Sequence, residues 1–233
     1  MRSLKDNYSR LKDFDVAYKN KGSYHFFLKG FAKWWTYDQY KMLARHVGSE
    51  DRVMDLAGGD GKLSNFLKTS SVINVDHSFE GLKFARSKTG RHCTQAKMQD
   101  LPFQPDSFDS IVCSLSLQYL FPAELDKCFK DVRSILKKNG KFVFSYPKKN
   151  EDDITHVALQ YDSLFDHLEK AGFRVVFSRG VFLRIPRLFV RLSQIPIINL
   201  ISFVIYKISR IGYFFPKQSF HYILACENKK FNE

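Results

Sequence analysis

Two carboxylates bracket a run of small residues in this chain, in the stretch Val53-Met54-Asp55-Leu56-Ala57-Gly58-Gly59-Asp60-Gly61. A turn of Ala57, Gly58, Gly59 and Gly61 lets the backbone approach a ligand closely, and a helix starting beyond it would present unpaired N–H groups. About 20 residues past the loop stands Asp76, a carboxylate placed to accept hydrogen bonds from both hydroxyls of an adenosine ribose. Asp76 and Ser78 are also good capping types for a helix beginning near Phe79. The loop and the carboxylate in register favour a nucleoside ligand over capping alone.

The kind of nucleoside is narrowed by what the loop lacks. A dinucleotide fingerprint requires Gly or Ala at its third position, where this sequence has Ser64. A phosphate-cradling P-loop requires Ser or Thr after Gly-Lys, but Gly61-Lys62 is followed by Leu63. Asp55 and Asp60 at the loop suit a ligand bearing an ammonium better than one bearing a pyrophosphate.

The elements that must hold these residues alternate in the manner of a parallel sheet with crossover helices. Strands are predicted over 52–56, 72–76, 92–96, 108–113, 141–146, 173–177 and 220–226, the last antiparallel. Helices are predicted over 62–68, 80–87, 123–137 and 159–170. In the third of these Leu125, Cys128, Phe129, Val132, Ile135 and Leu136 form one apolar stripe, with Pro122 in the first turn and Asn139-Gly140 closing it. The expected fold is therefore α/β, a Rossmann-like doubly wound sheet. It forms one domain: a helical, aromatic-rich cap over 1–48, a core over 49–181 and 218–229, and an inserted helical lid over 182–217.

The whole chain has 233 residues, is 44% hydrophobic and carries a formal charge of +13. That excludes collagen-like, low-complexity and wholly disordered classes and favours an anionic partner. Its 4 cysteines form no C-x-x-C pair and no His stands at metal-ligand spacing, so no metal site is expected. The start, Met1-Arg2-Ser3-Leu4-Lys5-Asp6, lacks the apolar core of a signal peptide. The longest charge-free stretch, 192–206, falls short of the ~18 apolar residues of a membrane span.

On these motifs the sequence resembles the class I S-adenosylmethionine-dependent methyltransferases, within the broad type 11 group that includes quinone-biosynthesis methyltransferases. The family loop D-x-G-x-G-x-G corresponds to Asp55, Ala57, Gly59 and Gly61, with Ala57 in place of the first glycine, whose added Cβ the neighbouring Gly58 can relieve. The family's L-P-F-x-x-x-S-F-D signature recurs from Leu101 to Asp109, and Ser116-Leu117-Gln118-Tyr119-Leu120 is similar to its segment after the fourth strand. The resemblance implies S-adenosylmethionine as cofactor, bound by Asp55, Ala57, Gly58, Gly59, Gly61, Asp76 and His77, with Met98, Gln99 and Ser114 nearby. Lys97 stands where the family has an acidic residue meeting the adenine amino group; the Met98 backbone, with the side chain of Gln99 or Asp100, would substitute.

Such an enzyme accelerates transfer mainly by alignment and water exclusion, so no catalytic residue need be displayed. The motifs for methylating adenine amino groups and cytosine carbon 5 are absent. An oxygen nucleophile on a small or lipid-linked acceptor, a saccharide or quinone-like ring, is the expected substrate. Candidate orienting groups are Gln118, Tyr119, Tyr146, His25 and His156.

The 182–217 segment holds Arg184, Arg187, Arg191, Lys207, Arg210 and Lys217 among bulky aliphatics and no Asp or Glu. That pattern fits an anionic membrane surface as well as it fits a lid or a dimer contact. The expected protein is a cytoplasmic monomer or homodimer, or one peripheral at an inner membrane surface. The alternatives are an RNA methyltransferase and a non-catalytic membrane-surface protein; nucleic acid is disfavoured because the basic residues alternate with aliphatics instead of stacking aromatics.

Overall fold

The computed structural model describes residues 15–16, 18–19, 30–148, 159–183, 199–211 and 219–229. Within them run α1 (Gly30–Ala44), β1 (Val53–Leu56), β2 (Val72–Asp76), α2 (Phe79–Thr89), β3 (His92–Gln95), β4 (Phe108–Ser114) and α3 (Pro122–Ile135). The order continues with β5 (Leu136–Pro147), α4 (Tyr161–Lys170), β6 (Phe173–Leu183), α5 (Asn199–Ser209) and β7 (Ser219–Asn228). Seven strands form one sheet in the order β3-β2-β1-β4-β5-β7-β6, and β7 is antiparallel to both its neighbours.

Strands covered on both faces read as continuous apolar runs, with alternate residues serving opposite cores. Met54 and Leu56, Ile111 and Cys113, Phe142 and Phe144 face one core. Their neighbours Val53, Val112 and Val143 face the other. The first core is closed by the α3 stripe: Leu125, Cys128, Phe129, Val132 and Ile135 are all buried. The Phe129 ring meets Phe142 at 6.1 Å and Phe173 at 6.4 Å, both edge-on. The second core is closed by α1, through Tyr40, Leu43 and Ala44.

Chain direction across the sheet reverses at β1, which pairs with β2 on one side and β4 on the other. The carboxyl ends of β1 and β4 diverge there, and a doubly wound sheet binds its ligand in that crevice. The connections after β1, β2 and β4 therefore frame the candidate site.

Three predicted boundaries are corrected. The helix expected over 62–68 is a single 3-10 turn, Leu63–Phe66, after which Leu67 is already extended. The Arg91 guanidinium binds the carbonyls of Ser64, Thr69 and Ser70 and holds the chain in that irregular path. The helix expected to reach Lys137 ends at Ile135, because Leu136 pairs with Phe108 and opens β5. Asn139-Gly140 consequently lies inside β5 and not at a helix end; Asn139 takes a left-handed φ of 61° beside the register shift between Phe108 and Ser110.

The segment between β6 and β7 supplies α5, which packs beside α1: Trp34 meets Phe203 at 5.5 Å and Phe31 meets Tyr206 at 6.4 Å. Among the described residues no helix is long and apolar enough to cross a membrane, and no cluster of His, Cys, Asp or Glu could hold a metal.

Candidate functional site

At the end of β1 the small-residue loop turns through left-handed backbone at Ala57, with φ 54°, and again at Gly59 and Gly61, with φ 50° and 73°. The relief expected from Gly58 is not how the turn is made: Ala57 itself adopts the unfavourable conformation, at a cost of about 1–2 kcal/mol. Gly58 is required for a different reason. A Cβ there would lie 2.1 Å from Asn74 Oδ1, and Asn74, buried in β2, donates through Nδ2 to the Gly59 carbonyl at 3.3 Å.

The loop is tied to the end of β2 by Asp76. One carboxylate oxygen accepts from the Gly59 amide at 2.8 Å and the other from the Ser78 amide at 2.8 Å. His77 Nδ1 lies 3.3 Å from the same carboxylate. Burial pushes the Asp76 carboxyl upward, against these contacts, which favour its charge. The capping role falls to Ser78, whose hydroxyl accepts from the Gly81 amide at 3.0 Å. Asp76 thus links the loop, through Gly59, to the N-cap residue of α2 without capping the helix itself.

Asp55 is buried one residue before the turn. Its Oδ2 accepts from the Ser64 hydroxyl at 3.0 Å, and its Oδ1 is buried with no partner. Burial, reinforced by Asp60 and Asp76, moves its midpoint up to about 7. Three buried carboxylates around one loop form a pocket of negative potential. Because the loop is followed by one 3-10 turn and not by a helix, it offers no helix dipole to a phosphate.

Two residues that meet this region were not singled out by sequence reasoning. A Cβ on Gly59 would stand 2.2 Å from the Tyr18 hydroxyl, and one on Gly81 would stand 3.1 Å from its ring. Tyr18 therefore spans the gap between loop and α2, with the Asp60 backbone amide donating to its hydroxyl and burial raising its pKa. Asp15, one turn earlier, accepts from the Ser78 hydroxyl at 2.7 Å and the Glu80 amide at 3.1 Å. These contacts join Asp15 to the start of α2 and Tyr18 to both the loop and α2.

On the β3–β4 side, Met98 packs against the first core. The Gln99 amide reaches Glu124 of α3 at 3.4 Å, and its carbonyl accepts from Lys127. Lys97 and Asp100 form an isolated antiparallel backbone bridge. Gln99 is thereby directed toward α3.

At the carboxyl ends of β4 and β5 lies a polar network. Ser145 Oγ accepts from Gln39 Nε2 at 2.5 Å and from the Leu115 amide at 3.1 Å. Gln118 donates to the Leu115 carbonyl at 2.6 Å and keeps its buried Oε1 unpartnered. Ser114 ends β4 and accepts from the Ser116 hydroxyl at 3.1 Å. Leu115 holds φ 49°, so the strand end is bent where this network forms. Tyr119 is half-buried next to it. Tyr146 is buried away from this role: its hydroxyl accepts from the Leu159 amide at 2.8 Å, and burial pushes it up to about 12. His25 and His156 lie outside the described residues.

A methyltransferase domain family matches residues 54–144. An uncharacterized protein of Methanocaldococcus jannaschii is 26% identical over 213 residues, covering 76% of this chain and 78% of that one. A ubiquinone/menaquinone biosynthesis C-methyltransferase of Proteus mirabilis is 29% identical over 143 residues, 56% of this chain and 55% of that one, so the chain spans about half of this relative's length. Among solved structures, the chain bound by the Trm112 methyltransferase activator of Haloferax volcanii superposes with a TM-score of 0.65 at 18% identity, covering 99% of this chain and 100% of that one. A SAM-dependent methyltransferase of Thermotoga maritima gives a TM-score of 0.60 at 16% identity, over 97% and 96% of the two chains. The structural likenesses are likenesses of fold.

Proposed function

Since the chain belongs to the class I S-adenosylmethionine-dependent methyltransferases, we propose that the Asp55–Gly61 loop and Asp76 hold that cofactor for methylation of a hydroxyl on a small or lipid-linked acceptor. The observation that carries the reading is the cradle itself. The buried Asp55 Oδ1 has no partner, Gly59 lets the Tyr18 hydroxyl sit where a Cβ would collide with it at 2.2 Å, and Asp76 is anchored by the Gly59 amide of the loop and the Ser78 amide after β2. A cofactor with an ammonium at one end and a ribose at the other matches that set: Asp55 answers the cation and Asp76 the hydroxyls. Tyr18 lies against Gly59 of the loop and Gly81 of α2.

The cofactor supplies a methyl already activated on a sulfonium, so the chain has to align the acceptor. Gln118 has one unmet hydrogen-bond acceptor, Oε1, and an acceptor hydroxyl would donate to it, leaving an oxygen lone pair for the methyl. The network of Gln39, Ser145, Leu115 and Gln118 consists of amides and a hydroxyl, groups that orient but do not remove a proton near neutrality. This favours a hydroxyl that is itself acidic, as on a phenol or quinol-like ring, over a saccharide, its proton passing to solvent as the oxygen–methyl bond forms and the sulfur–methyl bond breaks. A second reading is transfer to carbon of such a ring, supported by the stated activity of the Proteus mirabilis relative.

The test is transfer of labelled methyl from S-adenosylmethionine to lipid extract, small-molecule extract and total RNA in parallel. Label in a quinol-like compound of the first two supports the proposal, and its linkage to oxygen or carbon separates the two readings. Label in RNA alone would refute both.

A further inference from the structure

One row of side chains on α1 carries an amide between apolar neighbours. Trp35, Gln39 and Leu43 stand four residues apart and share a face of the helix. The Trp35 ring lies 4.8 Å from the His221 ring of β7 and 5.6 Å from the Phe182 ring of β6. Leu43 is buried in the second core, and Gln39, between the two, is 1% exposed. A buried amide costs free energy unless it is hydrogen-bonded, and an apolar side chain at this position would avoid that cost. The contact that Gln39 makes is a single donation, from Nε2 to Ser145 Oγ at 2.5 Å.

Ser145 carries that contact to the end of β4. It is the last residue of β5 in register with β4, opposite Ser114, and its hydroxyl oxygen also accepts from the Leu115 amide at 3.1 Å. A serine oxygen has two acceptor lone pairs, so Gln39 and Leu115 together take both and select one side-chain rotamer. Leu115 needs this hold. Its φ of 49° is left-handed, a conformation that costs a leucine free energy and persists where its surroundings over-determine it. Released, Leu115 would relax to the extended backbone of the strand it follows. Its carbonyl accepts from Gln118 Nε2 at 2.6 Å, and that bond directs the amide whose buried Oε1 is unmet. An extended Leu115 would carry its carbonyl away from Gln118 and leave that amide without its guide.

From these three hydrogen bonds joined across one left-handed residue, we infer that Gln39 is a positioning residue for the acceptor side of the enzyme. It acts through Ser145 to hold Leu115 bent, and so fixes where Gln118 presents Oε1. Gln39 needs no contact with the acceptor for this. The inference rests on the proposed reading only in assigning Gln118 to the acceptor; the hold on Leu115 belongs to the chain itself and is measurable without turnover.

The experiment uses the full chain saturated with S-adenosylmethionine and the variant Gln39→Met, which keeps an unbranched side chain and loses the donor. Nitrogen-15 NMR reads the Leu115 backbone amide and the Gln118 side-chain amide. In Gln39→Met, hydrogen exchange at Leu115 should quicken about ten-fold or more, and the Gln118 side-chain resonances should shift. With hydroquinone as the probe acceptor, kcat for labelled-methyl transfer should fall about five-fold or more, and cofactor affinity should stay at the wild-type value. Ser145→Ala should reproduce these effects, and serves as the second variant where Gln39→Met does not fold. The double variant Gln39→Met, Ser145→Ala should lose no more than Ser145→Ala alone, because both changes break one chain of contacts. Adding Leu115→Gly should return the Gln118 resonances and most of kcat to either single variant, since glycine takes a left-handed φ without strain. A role confined to packing α1 on the sheet would gain nothing from that glycine. Wild-type exchange at Leu115 with unshifted Gln118 resonances in Gln39→Met, additive losses in the double variant, or no recovery with Leu115→Gly would each overturn the inference. If the resonances respond as stated while wild type leaves hydroquinone unmethylated, the positioning of Gln118 stands and the phenolic-acceptor reading fails.

Discussion

Replacing Asp55 with Asn should make the free protein more stable and the cofactor-bound protein less so, with both effects dependent on pH. The carboxyl is 1% exposed, and burial moves its midpoint from the ordinary value of 3.8 to about 7. A carboxyl whose folded midpoint lies above its unfolded one stabilises the fold fully below the unfolded value and loses that contribution as pH rises through the folded one. Above pH 7, ionised Asp55 therefore costs the free fold about 4 kcal/mol relative to acid, of which about 2 kcal/mol is lost between pH 5.5 and pH 8. Asn cannot ionise and can still accept from Ser64. The stability of Asp55→Asn minus that of wild type, from urea melts without cofactor, should grow by about 2 kcal/mol across that interval. Cofactor binding runs the other way, since the cofactor's cation requires the ionised carboxylate. Wild-type affinity should be about ten-fold weaker at pH 6 than at pH 8, while the variant should bind about 10–100-fold more weakly at pH 8 and show no such slope. A variant with wild-type affinity at pH 8, or one that keeps the wild-type pH slope, would refute the role given to Asp55.

Three further outcomes are expected. Gly59→Ala joins a left-handed φ to a collision with the Tyr18 hydroxyl and should lower stability by about 1–2 kcal/mol. Thermal melts should show part of that loss recovered in the double variant with Tyr18→Phe, which removes the colliding oxygen. Gln118→Ala should lower kcat about ten-fold or more while leaving cofactor affinity unchanged, because it acts on the acceptor side; turnover and titration together check this. Phe129→Ala, in the centre of the first core, should cost about 3–5 kcal/mol in urea melts and leave the loop chemistry intact in the protein that remains folded.

The cradle was legible in the sequence to the extent that its parts are local. Asp55, the glycines and Asp76 sit at fixed distances from strand ends, so recognising two apolar runs was enough to place them. Partners far apart in sequence were not legible. Tyr18 meets the loop at Gly59 and Asp15 meets the start of α2 at Ser78 and Glu80, each across more than 40 residues, and nothing in their neighbourhood marks them apart from other polar and aromatic residues of the N-terminal segment. Gln39 and Ser145 meet 106 positions apart, and only the packing of α1 on β5 brings them together. Where local signals failed, tertiary contacts overrode them. Asn139-Gly140 is a good helix stop by type, but Leu136 pairing with Phe108 ends α3 earlier. Lys62 to Lys68 has a helical pattern, but the Arg91 guanidinium on three carbonyls holds it as a single turn. The segment of α5 was visible as a basic-apolar composition; its packing beside α1 became evident only from the fold.

The account rests most directly on Asp76, which joins the Gly59 amide of the loop to the Ser78 amide beyond β2 and is the residue proposed to hold the ribose. Isothermal titration of S-adenosylmethionine into wild type and Asp76→Ala at pH 8 measures that claim. The account predicts binding at one site per chain by wild type and a loss of about ten-fold or more in the variant, with S-adenosylhomocysteine, which shares the ribose, affected alike. Wild-type protein that takes up no cofactor, or an Asp76→Ala variant that binds as tightly as wild type, would contradict it.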